Sequence, residues 1–471
     1  MSVIEPPLQT CSDRLSRWVS GVRFGDLPKD VVEQTALRVL DVLGLVLAGL
    51  GTPFGQSVRE AVLALNPSGP SRIFGRGDAT TVPGAAFANG ALSQALEFDD
   101  THNESIVHMS SPAVAAAFAL AESQQASGAD LITAIAIGNE ISCRVGSVSP
   151  GQFHRRGYHP TGLFATFGTT WLAGHMLGLT REQMNNAAGI AGSFASGLLQ
   201  CWVDGTQSKF LHPGWSAQSG IVAATLGKTG TTGPAAVFEG RFGLFASHLQ
   251  DESVARDYGR ITEGLGERWE SRNASFKPFP VAHVIHPYID ALLRLRAAHA
   301  IDPDAVDRIV CPVAAYIVGI VCEPAVEKRR PRSDSHGRVS MQYTLAEALV
   351  LGRIDKNAYR PESLADPRIL KIADRVEIEV DPTFPGPERF KGAVKVVMKD
   401  GSIHETVEEH NRGSAANPMA VADIVAKFDA NAADVLNASQ RCALVDAVLA
   451  LPTAKNAARI IDLTIGSGSP Q

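Results

Sequence analysis

A group of ionisable side chains follows an alanine-rich apolar run near residue 96. The stretch from 97 to 108 combines carboxylates, a hydroxyl group and imidazoles, among them Glu97, Asp99, Asp100, Thr101, His102 and His108. Burying such groups costs free energy unless they are paired or take part in chemistry. Titratable clusters mark functional sites, although structural ion pairs give the same pattern. The stretch therefore predicts either an acid–base site or a buried ion-pair network.

Three His-Pro pairs occur, where the 13 histidines and 27 prolines of the chain would give about 0.7 by chance. They are His159-Pro160, His212-Pro213 and His286-Pro287, and each precedes a helix-compatible run. Proline is well tolerated in the first turn of a helix. Each histidine would then stand at a helix N-terminus, where free N–H groups favour anions. The alternative is that these imidazoles only cap their helices.

Two lysines have unusual neighbours for solubilising residues. Lys209 comes directly before the predicted helix at Pro213, and Lys277 lies between aromatic residues and prolines. Most lysines are surface residues, so a functional role for each competes with that simpler interpretation. Tyr343 begins another predicted helix, where most tyrosines only pack. No HxH or HExxH spacing accompanies the histidines, and we predict no metal site.

Composition limits the class of protein. The chain has 471 residues with 43 basic and 49 acidic side chains, and its net charge of −6 argues against a general nucleic-acid binder. Its six cysteines are scattered, which is typical of a reducing compartment, and the N-terminus lacks a signal-peptide pattern. We therefore expect a cytoplasmic protein. The apolar segment 161–179 is long enough to span a membrane, but it suits a buried core helix better.

Helices must position most of these residues. The first 250 residues predict a succession of buried, Ala- and Gly-rich helices and no strands. Later segments alternate with period two, and an Asp-Gly turn at 400–401 predicts a hairpin. We predict a mainly α protein: a large helical domain at 1–273, a smaller α+β lid domain at 274–412, and C-terminal helices at 413–471 that return to the helical domain.

Several of these motifs, in this order, resemble the MmgE/PrpD family. They are Glu97-Phe98-Asp99-Asp100-Thr101 with His108, Gly157-Tyr158-His159-Pro160-Thr161, Lys209-Phe210-Leu211-His212-Pro213-Gly214-Trp215, Phe238-Glu239-Gly240 and Lys277-Pro278-Phe279-Pro280. The family includes 2-methylcitrate dehydratase, cis-aconitate decarboxylase and iminodisuccinate epimerase. Glu97 stands where relatives usually have aspartate. His108 comes one residue later than in relatives and is followed by Met109 rather than proline.

The resemblance implies a homodimer of two-domain subunits with a site between the domains and no metal or organic cofactor. It implies catalytic roles for five residues: His108, His159, Lys209, Lys277 and Tyr343. Substrate contacts are implied for Glu97 and Thr101, and we add His212 from its place at a helix start. The lysines would hold carboxylates and the histidines would move protons.

Three functions fit these residues. The first is a cofactor-independent lyase that dehydrates or decarboxylates a small di- or tricarboxylate. The second is an epimerase of a dicarboxylate such as iminodisuccinate. The third is a non-catalytic carboxylate-binding protein on the same fold. None of them needs a nucleic acid or a membrane as partner.

Overall fold

A computed structural model describes residues 9–386 and 389–466 of the chain. The protein is mainly α-helical, with a smaller α+β part. The N-terminal residues that lack a signal-peptide pattern lie partly outside the described residues. No single helix in the described part is long and apolar enough to cross a membrane. The helices Lys29–Gly49 and Pro53–Leu65 meet such criteria only together, across a bend of 94°.

Long helices dominate the first part of the chain. They are Cys11–Gly21, Lys29–Gly49, Pro53–Leu65, Val82–Gln94, Ser110–Gln124, Gly128–Gly146, Thr166–Met176, Arg181–Ala191 and His212–Lys228. Alanine and glycine fill much of their surface, so most of these helices are buried on several sides. The prediction of no strands here was wrong, because two-residue strands form at Ser71–Arg72, Ala79–Thr80 and Thr101–His102.

A four-stranded sheet organises the later part. Its strands are Val376–Val380, Val306–Val313, Gly392–Met398 and Ile403–Glu408, in that spatial order. The first pair is parallel and the other two pairs are antiparallel. The predicted Asp-Gly hairpin forms between the last two strands. The longer helices beside the sheet are His286–His299, Met341–Leu351 and Pro367–Ala373.

Two large apolar cores result. One contains residues between Leu15 and Ala274 together with residues between Phe428 and Ile461. The other contains residues between Phe279 and Val396. The C-terminal helices Val421–Ala432 and Ala438–Leu449 pack against the helix Lys29–Gly49. The domain boundaries at 273 and 412 stay a prediction.

Candidate functional site

A small cavity of about 90 Å³ is lined by residues from the first, helical part of the chain and by residues from the later, α+β part. Its wall includes six of the residues selected from the sequence: Glu97, Thr101, His108, His159, Lys209 and Lys277. These six come from four stretches that are far apart in sequence. All six are at least 95% buried. The fold therefore gathers two lysines, two imidazoles, a carboxylate and a hydroxyl group around one enclosed space.

Glu97 pairs with both lysines. The Lys209 Nζ lies 2.6 Å from each carboxylate oxygen, and the Lys277 Nζ lies 3.3 Å from Oε1. Lys277 also donates to the backbone carbonyl of Glu97 at 3.0 Å. Burial alone would raise the pKa of Glu97, but Lys209, Lys277 and His108 hold this pKa well below its usual range. Two cations thus share the carboxylate of Glu97, and the buried carboxylate of Asp99 lies close enough to interact with both lysines.

The ring of His108 is held in one tautomer. Its Nδ1 lies 2.9 Å from the carbonyl oxygen of Asp100, which can only accept, so Nδ1 carries a hydrogen. In the neutral ring Nε2 is then the acceptor, and it lies 3.8 Å from Oε1 of Glu97. Burial and the charges of Lys209 and Lys277 lower the pKa of His108 well below its usual range. The ring is therefore neutral in the absence of substrate, and its Nε2 lone pair can accept a proton once a substrate carboxylate offsets the charge of the two ammonium groups.

His159 lies beside His108 in the wall. Its ring centroid lies 5.6 Å from that of His108. Its Nδ1 lies 2.8 Å from Nδ1 of His212, and its Nε2 is buried without a hydrogen-bond partner among the described residues. Burial, followed by the charge of Lys209, lowers the pKa of His159. His212 itself does not line the cavity, because His159 lies between His212 and the cavity. The structure therefore does not support the predicted substrate contact of His212.

A helix contact sets the spacing of these groups. Glu97 follows the helix Val82–Gln94, and Lys209 precedes the helix His212–Lys228. The two helices touch at Gly90 and Gly214, where a Cβ on Gly90 would lie 2.8 Å from the backbone of Gly214. Only glycine permits this approach. Because the backbones touch there, the ammonium group of Lys209 reaches the carboxylate of Glu97.

A buried arginine fixes the loop that carries the carboxylates. Nη1 of Arg38 contacts Oδ2 of Asp100 at 2.5 Å. Its Nη2 donates to the carbonyl oxygens of Ser271 and Ala274. Asp100 also accepts from the hydroxyl group of Ser110 at 2.6 Å. Arg38 thereby joins the helix Lys29–Gly49 to the segment before Thr101 and to the segment before Lys277. Both segments lead into the site.

Tyr343 lies outside this cavity, and the structure does not support its predicted catalytic role. The residue is fully buried in the second apolar core, and its ring centroid lies 6.1 Å from that of Tyr359. Burial raises the pKa of its phenol. The first turn of the helix Met341–Leu351 faces the core rather than the cavity, which a single sequence does not reveal. Tyr316 supplies a tyrosine in the wall instead.

Sequence analysis missed several wall residues: His154, Trp202, His283, Tyr316 and Phe390. His283 comes six residues after Lys277 and lies in the same connecting segment, which was the available signal. Its Nε2 lies 2.9 Å from Nδ2 of the buried Asn411. Trp202 carries no such signal. Its ring lies 5.1 Å from that of His154, and the Lys209 ammonium lies 5.7 Å from its centre.

A larger cavity of about 860 Å³ adjoins the small one. Five residues line both spaces: Ile106, His154, Trp202, Tyr316 and Ile320. The outer cavity also contains charged side chains of both signs, among them Arg155, Lys328, Arg332, Glu323 and Glu327. Some residues of the Arg-rich run 327–338 therefore reach the approach to the site rather than the site itself.

No group of three or more His, Cys, Asp and Glu residues in the described ranges has the arrangement of a metal site. What the cavity offers from its own side chains is cationic binding by lysine and proton transfer by imidazole. Both suit an anionic substrate whose reaction builds negative charge.

The amino-acid sequence of the chain is similar to those of known proteins. The family profiles described as MmgE/PrpD N-terminal domain and MmgE/PrpD C-terminal domain match residues 13–257 and 279–451. A cis-aconitate decarboxylase-like protein of Aspergillus oryzae is 26% identical over 96% of both chains. The cis-aconitate decarboxylase of Homo sapiens is 26% identical over 98% of this chain and 96% of its own. The 2-methylcitrate dehydratase of Escherichia coli is 25% identical over 84% of both chains. With both profiles matched in order over most of its length, the chain belongs to the MmgE/PrpD family.

Proposed function

We propose that the chain is a lyase that decarboxylates or dehydrates a small di- or tricarboxylate by acid–base chemistry next to a carboxylate. Its relatives carry the names of cis-aconitate decarboxylases and 2-methylcitrate dehydratases. The observation that carries the proposal is the single cavity in which Lys209 and Lys277 stand beside His108 and His159. Each of these groups has a part in such a reaction.

The lysines bind substrate carboxylates and stabilise developing charge. Loss of CO2, or removal of a proton next to a carboxylate, leaves an electron pair that delocalises into the neighbouring carboxylate. Ammonium groups fixed within a small buried cavity stabilise that charge without having to reorient. Glu97 keeps both ammonium groups in place before the substrate arrives, and Thr101 positions the ring of His108 from 3.2 Å.

The imidazoles move the protons. The neutral His108, with its lone pair on Nε2, takes the proton from carbon in a dehydration. His159 protonates the leaving hydroxyl group, or the carbon that has lost CO2. Each such transfer contributes about 10²–10⁴-fold to the rate. No step is assigned to Tyr343. The homodimer and the independence from cofactors stay predictions.

Proton NMR in heavy water tests the proposal. The protein is incubated with citrate, 2-methylcitrate, cis-aconitate and iminodisuccinate in turn. We expect the signals of a dehydrated or decarboxylated product from at least one tricarboxylate, and a loss of at least about 100-fold in rate in His159→Gln. His248→Gln is the matched control, because His248 is partly buried and lies outside the cavity.

Other outcomes would contradict a lyase. Deuterium uptake into unchanged substrate, without alkene or CO2, would identify an epimerase. A raised melting temperature with every compound intact after prolonged incubation would identify a carboxylate-binding protein.

A further inference from the structure

Two imidazoles meet behind the wall of the cavity. The 2.8 Å distance between Nδ1 of His159 and Nδ1 of His212 is that of a hydrogen bond. One of these nitrogen atoms must carry the hydrogen, and the other must present its lone pair. The tautomers of the two neutral rings are therefore coupled: a hydrogen on Nδ1 of one ring puts the hydrogen of the other ring on its Nε2.

The two ends of this pair face different surroundings. His159 is 1% exposed, and its Nε2 belongs to the cavity wall without a partner among the described residues. His212 is only partly buried and does not line the cavity. The pair therefore spans the distance from the enclosed site to the outer side of the wall.

The backbone makes room for this contact. Gly197 has φ +141°, and a Cβ at that position would lie 3.2 Å from Nδ1 of His212. The carbonyl oxygen of Gly197 also accepts from the backbone N–H of His159 at 2.9 Å. One glycine thus holds the chain of His159 while leaving space for the ring of His212.

The proposed chemistry requires His159 to donate a proton, which the pair of imidazoles makes possible. Burial and neighbouring cations keep His159 neutral, because its pKa lies well below the usual range. A neutral imidazole is a poor acid, since giving up its only N–H hydrogen would leave an imidazolate anion. It becomes an effective acid if its other nitrogen receives a proton at the same time. His212 stands at that nitrogen.

We propose that His212 is the outer member of a two-imidazole proton relay that serves His159; the inference rests on the proposed lyase function. In the forward step, Nε2–H of His159 goes to the substrate carbon or leaving hydroxyl group. The hydrogen on Nδ1 of His212 moves to Nδ1 of His159, and Nε2 of His212 takes a proton from a solvent water, which leaves hydroxide in the solvent. Both rings stay neutral. The tautomers reset when Nε2 of His159 takes a proton from the substrate or from water and the sequence runs backwards.

Two substitutions separate a relay from a structural role. His212→Asn keeps a side-chain donor or acceptor near Nδ1 of His159 but cannot pass a proton on, and His212→Phe removes the hydrogen bond as well. His248→Gln again serves as control. For the tricarboxylate that the wild type converts, kcat and KM are measured in mixtures of light and heavy water.

We expect both His212 variants to lose about 10–100-fold in kcat with little change in KM. The wild type should show a curved dependence of kcat on deuterium content, because more than one proton moves in the same step, and the variants a linear one. Wild-type kcat in His212→Asn, or an unchanged curvature, would overturn the relay alone. An effect on KM only would make His212 a substrate contact. If the wild type converts none of the compounds, the proposed function fails and the relay with it.

Discussion

Glu97 combines an unusual backbone conformation with a carboxylate that pairs with two charged groups. Its backbone is left-handed, with φ +54°, and its carboxylate is shared by two buried ammonium groups. Removing one partner of a buried ion pair costs about 3–5 kcal/mol, because the remaining charge stays desolvated. Glu97 therefore stabilises the folded protein before substrate binds, and it also neutralises part of the positive charge that a substrate carboxylate would contact.

Replacing Glu97 by Gln tests this balance. We expect Glu97→Gln to lower the free energy of unfolding by about 3 kcal/mol, because Lys209 and Lys277 lose their shared counter-ion. A small dicarboxylate such as malonate should then raise the melting temperature more in the variant than in the wild type, since an anion that binds the folded state stabilises it. Thermal denaturation with and without malonate measures both effects.

Glu104→Gln is the matched control. Glu104 pairs with Arg260 at 2.7 Å, but both side chains are partly exposed. Such pairs contribute about 0–1 kcal/mol, so the control should keep the stability and malonate response of the wild type. Equal malonate responses in wild type and Glu97→Gln would contradict the role given to this carboxylate.

The sequence revealed those site residues whose type is unusual for their neighbours in the chain. Lys209 and Lys277 stood out because lysine is unusual among aromatic residues and prolines, and both line the cavity. Trp202 left no such signal, because an aromatic residue in a short helix is usually a packing residue. Tyr343 lies away from the cavity, because the direction of a side chain at a helix start depends on tertiary packing, which periodicity does not report.

At the level of elements, one helix contact sets the geometry of the ion pair. The helices Val82–Gln94 and His212–Lys228 meet through Gly90 and Gly214. We expect Gly90→Ala to lower the free energy of unfolding by about 3 kcal/mol, because the new methyl group would meet backbone atoms that cannot rotate away. Activity should fall as well, since the helices move Glu97 and Lys209 apart. Chemical denaturation and kcat/KM measure the two effects.

Gly21→Ala provides the comparison. Gly21 ends the helix Cys11–Gly21, and a Cβ there would have no atom within 4 Å. Removing backbone freedom from the unfolded chain should leave stability unchanged or raise it by up to about 1 kcal/mol. A Gly90→Ala variant as stable and active as Gly21→Ala would show that the helix contact tolerates a methyl group.

Local sequence patterns predicted the helices and strands well, but they did not predict where tertiary contacts end a helix early. Period-two alternation and the Asp-Gly turn identified the hairpin of the sheet, because both signals come from residues that are close in sequence. Helix-compatible residues continue from Arg181 to Leu199, but the helix ends at Ala191. The chain must leave the helix there to bring Gly197 beside His159 and His212, which is a tertiary requirement.

For the molecule as a whole, buried histidines make stability depend on pH. Burial lowers the pKa of nine described histidines: His102, His108, His154, His159, His175, His212, His283, His286 and His336. Below about pH 6.5 the unfolded chain binds protons on these rings and the folded chain does not, so unfolding becomes more favourable as pH falls.

Five buried carboxylates act in the opposite sense, since burial raises their pKa values: Asp41, Asp99, Glu140, Asp290 and Glu347. They are fewer than the histidines. We therefore expect the free energy of unfolding to fall by several kcal/mol between pH 6.5 and pH 5. Urea denaturation at pH 6.5, 6 and 5 measures it, and a constant or rising stability over this range would contradict the expectation.

The two adjoining cavities have a consequence for inhibitor design. A compound whose carboxylate binds at Lys209 and Lys277 can be extended past Trp202 and Ile320 into the outer chamber. Its carboxylate would compete with any anionic metabolite for the lysines. Its extension would contact side chains of the outer cavity, which take no part in the reaction and can therefore differ between enzymes. Selectivity between enzymes of similar chemistry would then come from the extension.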